Sequence, residues 1–232
     1  MKHHIYSIPL TEALEKKCGC IMCDLEERFE EQAVEYFLGA SMMEPDAREI
    51  TNEKGFCRRH LHKMFEKSNK LSLALTLETH IKQIEECIEV KQKEGRFSKE
   101  TTASRTSDDI YETVNSCALC DKLNSQLNAA AGNIAYLWAK NDDFRYMLEK
   151  TDDVLCLEHC ALAIKMCDNE ISVFKRNEYI NMLIKKQKQS LSKLYENLHN
   201  FTLSFDYRNS GKPLTDEEKK SVQSAVKYLT KF

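Results

Sequence analysis

Cys20-Ile21-Met22-Cys23 is followed by Cys57-Arg58-Arg59-His60, and Cys117-Ala118-Leu119-Cys120 is followed by Cys156-Leu157-Glu158-His159. The interval between the paired motifs is 33 residues in the first case and 35 in the second. Two copies of one unit are therefore expected. Each copy offers three thiols and one imidazole, the complement of a closed tetrahedral zinc site. In sequence order the two sets are Cys20, Cys23, Cys57 and His60, then Cys117, Cys120, Cys156 and His159. An isolated Cys-x-x-Cys says little; two copies, each completed by a second pair, are a specific signal.

Working outward, a chain of 232 residues is long enough to bury a core, as one large or two small domains. With 42% hydrophobic and 31% charged residues the sequence is of globular type, not disordered. Six glycines and three prolines are too few for a turn-rich sandwich or barrel. A net charge of −3 supplies no global attraction to nucleic acid or anionic membranes. Residues 1–9 lack the apolar run of a signal peptide, and no stretch reaches the length of a membrane span. A cytosolic protein is expected. In a reducing compartment its ten cysteines point to metal before disulfides, with redox-active thiols as the alternative.

Comparing the copies separates ligands from spares. Cys18 aligns with Asn115, Cys160 with Leu61, and His62 with Ala161, so none of these repeats. Cys87 and Cys167 have no counterpart at ligand spacing and are expected to be small buried apolar residues. Cys160 is the strongest substitute ligand, because it would share a helical face with Cys156.

Helical periodicity dominates the rest, and no segment alternates with period two, so the fold class is all-α. A first helix is expected over 24–38, with Leu25, Phe29, Ala33 and Phe37 at fourfold spacing and Gly39 to end it. A short helical turn at 45–50 follows, then a helix from Cys57 through Phe65. An amphipathic helix over 71–90 carries Leu71, Leu75, Ile81, Ile84 and Ile88 as its apolar stripe. The second copy repeats the plan at 119–140, 142–150 and 156–166, with a long helix over 171–201. Thr215-Asp216-Glu217-Glu218 is a capping box before a last helix carrying Val222, Ala225, Val226 and Leu229. The polar stretch at 95–109 is the expected linker. The units are then 1–95 and 110–232, a long helix following each Cys-x-x-His, the two packed as one body.

In that reading the cofactor is zinc, two ions per chain, each clamping helix starts about 35 residues apart. Thiols in the first turn of a helix are favoured as thiolates by the exposed amides and the macrodipole. Three thiolates around a divalent ion leave one negative charge per site, which Arg58 and Arg59 could offset at the first and Lys122 at the second. Iron–sulfur clusters, mostly all-cysteine, are the lesser alternative. Glu196-x-x-His199 lacks the partner motifs of a di-iron site and is expected on the surface. His80 is expected to be a helix-face or satisfied core histidine, and Lys185, Lys186, Lys188 and Lys193 a solvated face. No phosphate-binding glycine loop, Gly-x-Ser-x-Gly or His-Glu-x-x-His occurs.

Ile8-Pro9, Cys20-Ile21-Met22-Cys23, Tyr36-Phe37-Leu38-Gly39, Met43-Glu44-Pro45-Asp46, Asn52-Glu53-Lys54-Gly55-Phe56-Cys57-Arg58-Arg59-His60 and Phe205-Asp206-Tyr207-Arg208 together resemble a bacterial domain-of-unknown-function family. The resemblance spans nearly the whole chain and implies a bacterial, cytosolic protein; it implies no activity. Asp206 and Arg208 are expected to form a local ion pair. The function expected is a zinc-stabilised, non-enzymatic helical scaffold that binds a protein or small ligand. A thiol-based sensor or enzyme using Cys18 or Cys160 is the alternative, and nucleic-acid binding a third reading.

Overall fold

The structure, a computed structural model, describes residues 7–16, 19–92, 101–151, 155–209 and 213–230. Among these lie twelve α-helices, two 3-10 turns and no strand. They are α1 (Ser7–Glu15), α2 (Ile21–Leu38), α3 (Pro45–Lys54), α4 (Arg58–Glu66), α5 (Lys70–Cys87) and α6 (Thr102–Asn115). The second half supplies α7 (Ala118–Lys140), α8 (Asp142–Lys150), α9 (Leu157–Glu170), α10 (Val173–Leu203), α11 (Asp216–Lys219) and α12 (Ser221–Thr230). The order α2–α5 recurs as α7–α10, as the duplicated motif requires. Helix α1 was not foreseen. Among the described residues, no helix is long and apolar enough to cross a membrane.

The chain forms two compact units, but they are not the halves 1–95 and 110–232. One comprises residues 1–27 and 126–232, the other 28–125, so the chain changes unit inside α2 and again inside α7. The expected linker is also corrected in part. Residues 101–109 open α6, with Thr101 accepting a hydrogen bond from Ser104 N; 93–100 lie outside the described residues. Helix α6 buries none of its residues. Its polar composition is that of a helix held by its cap and not by a core.

In the unit formed by 28–125, Phe37 and Phe56 meet edge to face with ring centres 5.2 Å apart. Helix α3 packs along α5, but through an unexpected face of α5. Ser72, Leu73 and Thr76 are buried, while Leu71, Leu75, Ile81 and Ile88 of the expected stripe are exposed. Polar bonds between the helices explain the rotation. Arg48 donates to the Leu75 carbonyl and to the hydroxyls of Thr76 and Thr79; Thr79 donates to Asn52 Oδ1 at 2.6 Å. Those groups need partners more than isolated leucines need cover.

In the other unit, α9, α11 and α12 pack against α10, and α1 against α8. Trp138 and Tyr179 are fully buried with ring centres 5.2 Å apart. Helix α10 buries Tyr179, Leu183 and Gln187, while Phe174 stands 95% exposed. Gln187 donates to the Leu155 carbonyl at 2.6 Å and accepts from the Tyr228 hydroxyl, tying α12 and the segment before Cys156 to α10. The capping box at α11 is complete: Thr215 Oγ1 accepts from Glu218 N, and Glu218 accepts from Thr215 N. Thr215→Ala should lower stability by about 1 kcal/mol, read as a shift in urea midpoint at unchanged slope. A midpoint within error of wild type would mean this segment does not fold with the rest.

Candidate metal centres

All four short motifs use the same local device. In each, the first cysteine precedes a helix and the second ligand falls in its first turn: Cys20 before α2, Cys57 before α4, Cys117 before α7, Cys156 before α9. Cys57 and Cys156 are the N-caps of their helices, with extended backbone angles. A cap and the residue three places on converge on one point above the helix end, as in a capping box. Sulfur and imidazole thus meet where amide dipoles favour negative charge.

The eight expected residues come together, but in a different pairing. Cys20 and Cys23 meet Cys156 and His159; Cys57 and His60 meet Cys117 and Cys120. Within each group the candidate donor atoms lie within 4.8 Å of one another. Each Cys-x-x-Cys is completed by the Cys-x-x-His of the other copy, which corrects the consecutive sets. Helix length gives the reason. The 18 residues of α2 rise about 27 Å, while the 10 of α3 return only about 15 Å. A 10-residue helix cannot by itself retrace an 18-residue one, so the difference in length works against closing a cage within one copy. Likewise α7 has 23 residues and α8 only 9.

Backbone contacts hold Cys57 against Cys117. The Gly55 carbonyl accepts from Ala118 N at 3.0 Å, Ser116 Oγ donates to the Lys54 carbonyl at 2.7 Å, and Lys54 pairs with Asp121. Gly55 caps α3 at φ 54°, ψ −145°, a region closed to side-chain-bearing residues, and turns the chain toward the cage. The imidazole of His80 lies where a Cβ would be, its Nδ1 2.8 Å from the Asn52 carbonyl. That is the satisfied helix-face role expected of it.

The donor geometry suits a tetrahedral ion. His60 Nδ1 lies 3.2 Å from Cys117 Sγ and 3.4 Å from both Cys57 Sγ and Cys120 Sγ. His159 Nδ1 lies 3.2 Å from Cys156 Sγ, 3.4 Å from Cys23 Sγ and 3.5 Å from Cys20 Sγ. The Cys57–Cys120 and Cys23–Cys156 sulfur separations are both 3.8 Å. A tetrahedral ion with sulfur ligands at 2.3 Å sets those sulfurs about 3.8 Å apart, whereas a disulfide would bring them to about 2.05 Å. All nine described cysteines are free.

Charge leads to the same place. In one cage, hydrogen bonds from Cys20 and Cys23 push Cys156 far below the usual thiol range, while the bond to Cys156 pushes Cys23 far above it. In the other, burial raises Cys120; at Cys57 burial also works upward, but amide hydrogen bonds at the start of α4 and bonds from Cys120 and Cys117 together lower it. Three crowded sulfurs cannot all ionise alone; a cation at their centre removes the conflict.

Both histidines offer Nδ1 to sulfur, which turns Nε2 outward. His60 Nε2 meets Glu30 Oε1 at 3.0 Å, and that carboxylate also takes Arg59 at 2.8 Å and Lys63 at 2.5 Å. His159 Nε2 faces Glu26 Oε2 at 3.3 Å and has no aligned hydrogen bond. Burial works against ionisation of Glu30, but the Lys63 and Arg59 cations outweigh it and lower its pKa. Arg59 thus acts near the site as expected, but through Glu30. Lys122 instead sits over the Tyr36 ring, 4.3 Å from its centre. Glu26 and Glu30 were missed because their equivalents in the second copy are Leu123 and Leu127. The available signal was a pair of acids one turn apart within the Leu25, Phe29, Ala33 face.

Of the spare residues, Cys160 and Cys167 are buried and belong to neither group; burial raises the thiol pKa of each. Cys87 is exposed, contrary to expectation, and receives a bond from Gln83 Nε2. Cys18 lies outside the described residues. Glu196 and His199 are exposed, His199 stacked on Tyr195, and Asp206 pairs with Arg208. The two Cys/His groups can hold metal ions; no curated protein and no solved structure matches the chain to say what they serve. A family model does match it, over residues 1–232, and so the chain belongs to DUF6062, a family of unknown function.

Proposed function

We propose that the chain binds two zinc ions, one in each Cys3His cage, and works as a zinc-stabilised helical scaffold for a protein or small-molecule partner, not as an enzyme. The observation that carries this reading is closure. Three sulfurs and one ring nitrogen surround each centre, so a tetrahedral ion has no position left for a substrate or an activated water. Soft sulfur with borderline nitrogen favours zinc over hard cations, and the imidazole argues against an iron–sulfur cluster. Apolar side chains left exposed at helical spacing, Leu71 and Leu75 on α5 and Val222, Val226 and Leu229 on α12, support partner binding. The thiol-sensor reading loses support at Cys160, which is buried and whose thiol pKa burial raises, the reverse of a reactive cysteine.

Elemental analysis of purified protein tests the proposal. About two zinc ions per chain are expected, released by a strong chelator with loss of the far-ultraviolet helical signal. Iron in place of zinc, or metal-free protein that keeps its helicity and thermal midpoint, would overturn it.

A further inference from the structure

We propose that Glu26 and Glu30, one turn apart on α2, are the positioning residues of the two cages: each fixes the tautomer and ring orientation of one histidine so that Nδ1 faces the three sulfurs. This rests on the zinc reading above.

The geometry on which it stands is independent of any ion. Both imidazoles are almost fully buried, so neither Nε2 can turn to water for a partner. A neutral imidazole carries one ring proton, and a nitrogen that binds metal cannot carry it. With Nδ1 among the sulfurs, the proton must sit on Nε2, and each Nε2 faces a carboxylate. A carboxylate accepting from the far nitrogen orients the ring and makes the near nitrogen a better donor. Glu30 is itself buried, a costly place for an acid unless it has work there, and Arg59 and Lys63 hold it ionised. Glu26 is the looser partner at 3.3 Å, the carboxylate that faces an otherwise unsatisfied Nε2.

The duplication makes the assignment specific. The second copy has Leu123 and Leu127 at the matching places on α7, so the two acids are not inherited from the repeated motif. One helix supplies both.

The test uses zinc-loaded full-length protein and two readouts. Long-range nitrogen–proton spectra of the histidine rings should show His60 and His159 with Nδ1 metal-bound and the proton on Nε2. Transfer of zinc to a chromogenic chelator should speed up roughly 10- to 100-fold for one of the two ions in Glu30→Ala, and for the other ion in Glu26→Ala. Glu30→Gln and Glu26→Gln keep an acceptor oxygen at the same place and should restore most of the lost retention, which a merely structural role would not require. Two bound zinc ions with Nε2 coordinated, or release rates unchanged in folded Glu26→Ala and Glu30→Ala proteins, would overturn this inference and leave the zinc reading intact. Protein that binds no zinc at all would overturn both.

Discussion

Chains carrying Cys20→Ser together with Cys156→Ser should retain one zinc ion, whereas chains carrying Cys20→Ser together with Cys57→Ser should retain none. The two pairs remove the same kind of ligand and differ only in which cage they strike. Cys20 and Cys156 belong to one group, so the second substitution has nothing further to destroy. Cys20 and Cys57 belong to different groups, so both cages fail. Pairing each motif with its sequential neighbour gives the opposite result for both proteins. The size of the effect makes the measurement decisive. Structural zinc in small sites contributes on the order of 10 kcal/mol, comparable to the whole stability of an ordinary domain. Each single substitution should therefore remove a large part of the helical signal, and the Cys20 and Cys57 combination more than the Cys20 and Cys156 combination. Equal zinc content in the two double variants would refute the cross-pairing.

The nested pairing also has a folding consequence. The inner cage joins residues 57–60 to 117–120, and the outer joins 20–23 to 156–159. Closing the outer cage first would require ordering a longer flexible loop, and closure entropy grows with loop length. The inner site, with its backbone bond from Ala118 to Gly55 and the Ser116 bond to Lys54, has the shorter loop and a hydrogen-bonded clasp beside it.

Ligand identity was legible because sulfur and imidazole at helix starts leave a rigid spacing in the chain. Ligand partnership reads as consecutive from the sequence and is in fact crossed, although a signal against the consecutive pairing was available: a 10-residue helix does not retrace an 18-residue one. Helix existence was likewise legible for α2 to α5 and for α7 to α10, but not for α6, whose polar opening reads as a linker. The buried face was less so, and α5 shows why. Its leucine and isoleucine spacing names Leu71, Leu75, Ile81 and Ile88, yet Ser72 and Thr76 face inward, on the side where Arg48 donates to Thr76 and Thr79 and where Thr79 donates to Asn52. Periodicity counts apolar residues; it does not see a neighbouring arginine that needs acceptors. Glu26 and Glu30 stayed hidden for a related reason, since an acid on a helix reads as solvent-facing until a buried imidazole is placed against it.

Gly55→Ala should destabilise the 28–125 unit by roughly 3 kcal/mol, combining about 1–3 kcal/mol for a side chain held in a glycine-only backbone region with about 1 kcal/mol for a displaced hydrogen bond. At φ 54°, ψ −145° alanine has no relaxed conformation, and its Cβ would collide with the His80 ring at Nε2. The whole ring is in the way, so the imidazole must leave and give up its bond to the Asn52 carbonyl. The damage should also reach the metal, because the same residue offers its carbonyl to Ala118 and sets the direction in which Phe56 and Cys57 emerge. Zinc should therefore leave the Cys57, His60, Cys117, Cys120 cage faster than in wild type, with the other cage unaffected. Adding His80→Ala separates the two causes. The double variant should be less damaged than the sum of the singles, since the steric conflict is removed, but it should not return to wild type, since the backbone strain remains. Urea unfolding of the four proteins measures the cycle. If Gly55→Ala unfolds within about 0.5 kcal/mol of wild type, the size expected of an unremarkable surface change, then this turn is not what aims the first Cys-x-x-His at its cage.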